Sequence, residues 1–190
     1  MSDPLISTAE AAALLDDPLV RFVDCRWYLG EPERGPTAYA AEHLPGAVYA
    51  DLETHLSAPG GPGRHPLPGQ EWFAATVGRL GIGDEHLVIG YDDRGGAVAG
   101  RLWWMMRWIG HDRARVLDGG LTAWKADGPP VTGEVAGHPP ATLTVGDALT
   151  RQIDRETLAD RIGSPTVLDA RAPERYRGDE EPIDPVAGHI

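Results

Sequence analysis

The feature that most constrains this chain is that its opening pattern returns. Ile6-Ser7-Thr8-Ala9-Glu10 places a Ser/Thr helix start before a Leu/Ala-rich stretch that stops at Asp17-Pro18, and Leu19-Val20-Arg21-Phe22-Val23-Asp24 follows as a short strand. Much later, Ile153-Asp154-Arg155-Glu156-Thr157-Leu158 leads a similar helix to Ser164-Pro165, and Thr166-Val167-Leu168-Asp169 follows as a second strand. The match continues past the strands: Asp24-Cys25-Arg26 corresponds to Asp169-Ala170-Arg171, and His43-Leu44-Pro45-Gly46 to Gly188-His189-Ile190. The distance from Ile6 to Ile153 far exceeds the roughly 20–50 residues of a solenoid unit and suits duplicated whole domains.

Between the copies, strand-like and helical stretches alternate. Leu87-Val88-Ile89-Gly90-Tyr91 and Ala114-Arg115-Val116-Leu117 read as strands, Ala99 to Trp108 and Leu121 to Lys125 as helices. That alternation predicts an α/β fold, a parallel sheet with helices on both faces, in which ligands sit at the carboxyl ends of the strands. Ala58 to Gly69 is rich in Gly and Pro and reads as a surface loop, and Asp127 to Pro140 reads as the start of an interdomain linker. The expected organisation is a first domain over 1–128, a linker over 129–150, and the beginning of a second domain over 151–190.

Charge narrows the class of partner. Acidic residues outnumber basic ones 29 to 17, a formal charge of -12, and a field of that sign opposes nucleic acid and anionic lipid. A local basic pocket for a small anion is still compatible with it, since binding depends on nearby groups. Cys25 is the single cysteine, so an intramolecular disulfide and a thiolate metal cluster are both excluded. The start, Met1-Ser2-Asp3-Pro4, lacks a basic stretch followed by an apolar run, which favours a cytoplasmic location and no membrane span. The 7 histidines show no metal-ligand spacing and no glycine cluster matches a phosphate loop, so neither a metal nor a nucleotide cofactor is expected.

Several motifs together resemble the tandem rhodanese family, which includes thiosulfate and 3-mercaptopyruvate sulfurtransferases. They are Asp24-Cys25-Arg26-Trp27-Tyr28-Leu29, His43-Leu44-Pro45-Gly46-Ala47-Val48, Leu80-Gly81-Ile82, Val88-Ile89-Gly90-Tyr91-Asp92-Asp93, Arg101-Leu102-Trp103-Trp104-Met105-Met106-Arg107 and Val116-Leu117-Asp118-Gly119-Gly120-Leu121-Thr122-Ala123-Trp124. The resemblance implies a rhodanese-like fold, the first of two tandem domains plus a fragment of the second. It also implies a cysteine at the end of a central strand, where a helix N-terminus and inward N–H groups stabilise a thiolate and then a persulfide. The equivalent strand end here carries Asp92, and a carboxylate has no persulfide chemistry, so the first domain is expected to be silent. The working cysteine is expected after Ile190. A phosphatase relative of the same fold fails for the same reason.

By the same resemblance, Arg175 matches the arginine that holds an anionic substrate, a role suited to a guanidinium fork. His65 and Glu53 match first-domain positions that face the pocket. Asp184 stands where mercaptopyruvate-type members carry another arginine, which tilts the donor towards thiosulfate. Cys25 reads as a small buried structural residue, the Asp24/Arg26 and Asp169/Arg171 pairs as loop fasteners, and His43 and His189 as a shared structural position. Trp103, Trp104, Met105, Met106 and Trp108 read as core or domain interface.

The expected function is transfer of sulfane sulfur from a small anionic donor to a thiophilic acceptor. The remaining C-terminal part would be supplied as a continuation or as a second chain, and this chain alone would be inactive. The competing expectation is a non-catalytic rhodanese module that binds a partner or regulates another enzyme, which Asp92 suits equally well.

Overall fold

The computed structural model describes residues 3–61, 63–164 and 166–182. Pro165, Asp184, His189 and Ile190 lie outside them. The chain divides into two compact units, Met1–Arg151 and Gln152–Ile190.

Unit 1 is a five-stranded sheet. Its strands are β1 (Leu5–Ile6), β2 (Val20–Asp24), β3 (Val48–Tyr49), β4 (Leu87–Tyr91) and β5 (Ala114–Leu117), in the order β1-β5-β4-β2-β3 with every pairing parallel. Its helices are α1 (Thr8–Ala12), α2 (Arg34–Ala41), α3 (Gln70–Arg79), α4 (Ala99–Trp108) and α5 (Gly120–Asp127). The sequence expectation of an α/β fold with a parallel sheet is met, and β4, β5 and α4 fall where the sequence puts them.

The two-residue period of a strand explains the two cores. Val88 and Val116 point into a cluster with Phe73 and Val77 of α3 and Leu102, Met105 and Met106 of α4. Their neighbours Ile89 and Leu117 point the other way, onto Ala11 of α1 and Leu121 and Trp124 of α5. Each fully buried Leu or Met side chain contributes about 1.5–3 kcal/mol, so α4 is anchored chiefly by its Leu102-Met105-Met106 stripe. Trp103, Trp104 and Trp108 pack partly buried against the same cluster, with Trp104 and Trp108 stacked at 6.0 Å.

Residues 129–150 form a strap on unit 1. Thr132 and His43 exchange backbone hydrogen bonds of 2.8 Å, Ala141 N–H donates to Gly78, Gly146 N–H to Ile109 and Leu149 N–H to Arg107. Leu143 is buried in the α3/α4 core. Among the described residues no helix is long and apolar enough to cross a membrane.

Unit 2 holds α6 (Arg155–Asp160) and α7 (Pro173–Arg177). Its start repeats that of unit 1: Ser7 and Asp154 each accept the N–H three residues on, at 3.3 and 2.7 Å, and so cap α1 and α6. The expected strand over Thr166–Asp169 does not form. Residues 166–170 have no regular structure, and Leu168 is 87% exposed. A lone strand leaves its ladder groups unpaired, and unit 2 has no second strand among its described residues to receive them.

Candidate functional site

The carboxyl end of β4 is the focus of unit 1. There the chain turns through Asp92-Asp93-Arg94-Gly95-Gly96 into α4, and both glycines take positive φ, +68° and +84°. That conformation, open to Gly at little cost, turns successive amides inward. The Asp92 carboxylate fills the space they enclose. One oxygen accepts from Arg94 and Gly96 N–H, both at 2.9 Å, and the other from Val98 at 2.9 Å and Ala99 at 3.0 Å. Asp92 is 1% exposed and sits at the N-terminus of α4, where a negative charge is favoured.

Its backbone is fixed as well, since the Asp92 carbonyl accepts Leu121 N–H at 2.9 Å. Gly120 makes that approach feasible. Its φ is +57°, and a Cβ there would lie 2.2 Å from the Asp92 oxygen. The loop is thus an anion cradle closed around its own side chain. It holds a charge and offers no nucleophile.

Cys25 offers none either. It is fully buried beyond β2, and burial, reinforced by the charges of Asp24 and Asp92, holds its thiol well above the ordinary range. A protonated, inaccessible sulfur is chemically inert.

Arg26 is likewise structural. Its guanidinium forks onto Asp24 at 3.0 and 2.6 Å, with both residues nearly inaccessible, and it also donates to the Glu42 carbonyl. Arg171 and Asp169 of unit 2 repeat the fork at 3.0 and 2.5 Å, including the bond from the arginine's own N–H to the Asp at 2.9 Å. The two Asp-x-Arg pairs thus share the same local fork. His43 is fully buried, with its ring nitrogens 2.6 and 2.9 Å from the Tyr39 and Glu134 carbonyls, and it fastens α2 to the strap.

Beside the Asp92 loop lies a pocket of about 300 Å3. Trp27, Leu29, Leu52 and Val98 give it apolar walls, and Arg64, His65 and Arg94 line it too. His65 meets Trp27 edge-on at 4.9 Å, and burial followed by the charge of Arg101 lowers its pKa below the ordinary value. Glu53 is exposed; its charge acts on His65 in the opposite sense. The structure thus brings His65 and Glu53 into one neighbourhood.

Arg175 belongs to unit 2. Its guanidinium forks onto Glu181, Nε to Oε1 at 3.1 Å and Nη2 to Oε2 at 3.0 Å, and Arg171 approaches the same carboxylate at 3.9 Å. Arg175 is therefore held in a carboxylate-binding geometry within its own unit.

Two contributors escape a reading of the sequence. Arg101 of α4 donates to the Leu56 carbonyl at 3.0 and 2.8 Å and to the His65 carbonyl at 3.0 Å, which pins the 56–65 loop beside the pocket. Arg94 sits with its guanidinium 5.1 Å from the Tyr28 ring centre, and the Tyr28 hydroxyl donates to Asp93. Both roles depend on chain segments distant in sequence.

A parallel α/β sheet whose central strand runs into a loop of inward N–H groups closed around a buried carboxylate defines the class of domain. Residues 7–127 match the model of the rhodanese-like domain, and the chain belongs to that family. It is 43% identical over 203 residues to a Pseudomonas aeruginosa protein named "Probable 3-mercaptopyruvate sulfurtransferase", covering 100% of this chain and 69% of the relative. It is 36% identical over 192 residues to the thiosulfate sulfurtransferase of Azotobacter vinelandii, covering 98% and 66%. Among solved structures it is similar to the 3-mercaptopyruvate sulfurtransferase of Leishmania major, with a TM-score of 0.76 and 32% identity over 98% of this chain and 52% of that one. The chain thus spans between about half and about two thirds of these relatives' own length.

Proposed function

We propose that the protein to which this chain belongs is a sulfurtransferase that moves sulfane sulfur from thiosulfate or 3-mercaptopyruvate to a thiophilic acceptor, cyanide or a thiol. Unit 1 is its silent half. The observation that carries this reading is the Asp92 carboxylate held by four backbone N–H groups at the end of β4. A cradle of that kind suits a thiolate and its persulfide, and here it is spent on an oxygen anion.

The reacting cysteine then lies after Ile190, in a tandem second domain that begins over 151–190, and the greater length of the named relatives supports that assignment. Its thiolate attacks the outer sulfur of the donor. With thiosulfate the S–S bond breaks and sulfite leaves; with 3-mercaptopyruvate the C–S bond breaks and the carbon takes a proton to give pyruvate. The acceptor attacks the persulfide and regenerates the thiolate. Arg175 holds the donor's anionic group, and His65 and Glu53 close the pocket. Cytoplasmic work suits a protein whose chemistry needs a reduced thiol.

Assaying the full-length protein with both donors and cyanide tests the reading: thiocyanate formation with at least one donor is expected, and none with either would overturn it. The caged Asp92 and the inert Cys25 also favour a second reading, a non-catalytic module that binds a partner. Loss of all turnover in the full-length protein, with an intact fold, is the result that would favour it.

A further inference from the structure

The second half of the strap on unit 1 is clasped at Asp84, at the opposite end of the sheet from the Asp92 loop. The Asp84 carboxylate accepts the N–H and the hydroxyl of Thr144, both at 2.7 Å, and the Asp84 N–H donates to the Thr142 carbonyl at 3.1 Å. Asp84 stands on a tight turn over residues 83–86 that is closed twice. The His86 N–H donates to the Gly83 carbonyl at 3.1 Å, and the Gly83 N–H donates to His86 Nδ1 at 2.8 Å. An amide N–H only donates, so Nδ1 carries no proton when the turn is closed. We propose that His86 is an acid-sensitive latch: with Nδ1 bare it holds Asp84 against the strap, and a proton on Nδ1 loosens residues 142–144 while the sheet stays folded.

The surroundings make that proton consequential. His86 is buried, so a protonated ring leaves two N–H groups facing each other away from bulk water. Opening the turn relieves the conflict, and the Glu85 carboxylate, 3.5 Å from Nδ1, is at hand for the imidazolium. Movement of the turn reaches the strap directly, because a Cβ on Gly83 would lie 3.0 Å from the Thr142 carbonyl. Elsewhere along the strap the histidines meet carbonyls. The His43 ring nitrogens lie 2.6 and 2.9 Å from the Tyr39 and Glu134 carbonyls, and His138 Nε2 lies 2.9 Å from that of Gly46. A proton added there removes no acceptor that an amide needs, so acid acts first at the Asp84 clasp.

Neighbouring groups set where the latch trips. Burial is the first influence on His86 and lowers its pKa from 6.5; Arg21 of β2 and His138 of the strap act with it, and Glu85 and the Gly83 backbone act against it. His111 stands beside it too, its Nε2 3.0 Å from the His86 carbonyl. Asp84 is held below its ordinary 3.8 by Thr144, so the clasp itself keeps its charge while His86 titrates. The strap is the last stretch of unit 1 before Gln152, so the latch decides how firmly that connection is held at a given pH.

Hydrogen exchange of the full-length protein reads the latch without any sulfur donor, so its outcome is independent of the sulfurtransferase assay. Protection factors, corrected for the intrinsic effect of pH on exchange, are compared for residues 141–146 and for Leu87–Tyr91 between pH 7.5 and pH 4.5. Protection of 141–146 should fall about tenfold or more with a midpoint below 6.5, while that of β4 falls less than about threefold. Glu85→Gln should move the midpoint to lower pH. His86→Asn, whose Oδ1 accepts the Gly83 N–H and takes up no proton, should keep the protection seen at pH 7.5 and lose the acid response. In the unsubstituted protein, the His86 ring and the Thr144 amide should titrate together by NMR. Parallel loss of protection in both segments, a His86 ring that titrates without moving the Thr144 amide, or an acid response retained in His86→Asn would overturn the latch.

Discussion

The Asp92 carboxylate accepts the N–H of Ala99, the first residue of α4, at 3.0 Å across seven positions of chain. Three further N–H groups converge on the same side chain, so the loop between β4 and α4 has its shape because a negative charge sits inside it. Asp92→Asn turns one acceptor atom into a donor that faces inward N–H groups. Charge-assisted hydrogen bonds contribute about 1.5–3 kcal/mol each and losses within one network are not additive, so a destabilisation of about 3 kcal/mol is expected in urea unfolding. A change below about 1 kcal/mol would mean that the cradle tolerates a neutral occupant.

The Asp24–Arg26 fork makes a second case. Both groups are buried, so removing one leaves the other charge uncompensated. Arg26→Met should cost about 3–5 kcal/mol, whereas the same change at Arg171, whose pair is 28% and 22% exposed, should cost about 1 kcal/mol or less. Thermal unfolding of the two variants compares them directly, and equal losses would contradict the role given to burial.

Cys25 gives a kinetic prediction. Its thiol is fully buried and its pKa raised, so an aromatic disulfide reagent at pH 8 should react more than a hundredfold slower than with a free thiol and should reach full rate in denaturant. Rapid labelling of the native chain would contradict the buried position.

These three cases also show what the sequence makes legible. β4 is readable because a strand covered on both faces is apolar throughout, β5 because only Arg115 interrupts its apolar run, and α4 because its Leu102-Met105-Met106 spacing is helical. The position of Asp92 follows from the strand that precedes it. Its cage does not, since the donors are backbone groups brought round by the Gly95-Gly96 turn. β1 and β3 are two residues long and carry no periodic signal, and α2 has Gly35 and Pro36 in its first turn, residues of low helix propensity. Thr166–Asp169 has the pattern of a strand, and among the described residues of unit 2 no neighbouring strand pairs with it. His65 and Glu53 are visible through their likeness to a family, while Arg94, Arg64 and Arg101 enter the neighbourhood only through the fold.

Arg101 illustrates the point as a prediction. It is partly buried and spans the Leu56 and His65 carbonyls, a planar arrangement that a lysine cannot reproduce. Arg101→Lys should lower stability by about 1–2 kcal/mol and loosen the 56–65 loop, seen as faster amide exchange there than in β4. Uniform protection in both segments would mean that the loop is held by other contacts.

The histidines set the response to acid. His55, His65, His86 and His111 all have pKa values lowered from 6.5, with burial the first cause in each. In the unfolded chain they take up protons near 6.5, and in the folded chain only at lower pH. Between those values the unfolded state binds more protons, so stability rises with pH across that window. The contribution is complete above about 6.5 and is lost as pH falls through the folded values. The carboxylates with resolved shifts, such as Asp84 held down by Thr144, are lowered from their ordinary values of 3.8 for Asp and 4.5 for Glu and do not enter this range. Urea midpoints should therefore fall between pH 7.5 and pH 5, and His111→Gln should flatten the slope, because its ring nitrogen lies 3.0 Å from the His86 carbonyl in a buried site. A midpoint that rises on acidification would show that these histidines gain protons on folding, the reverse of what their burial requires.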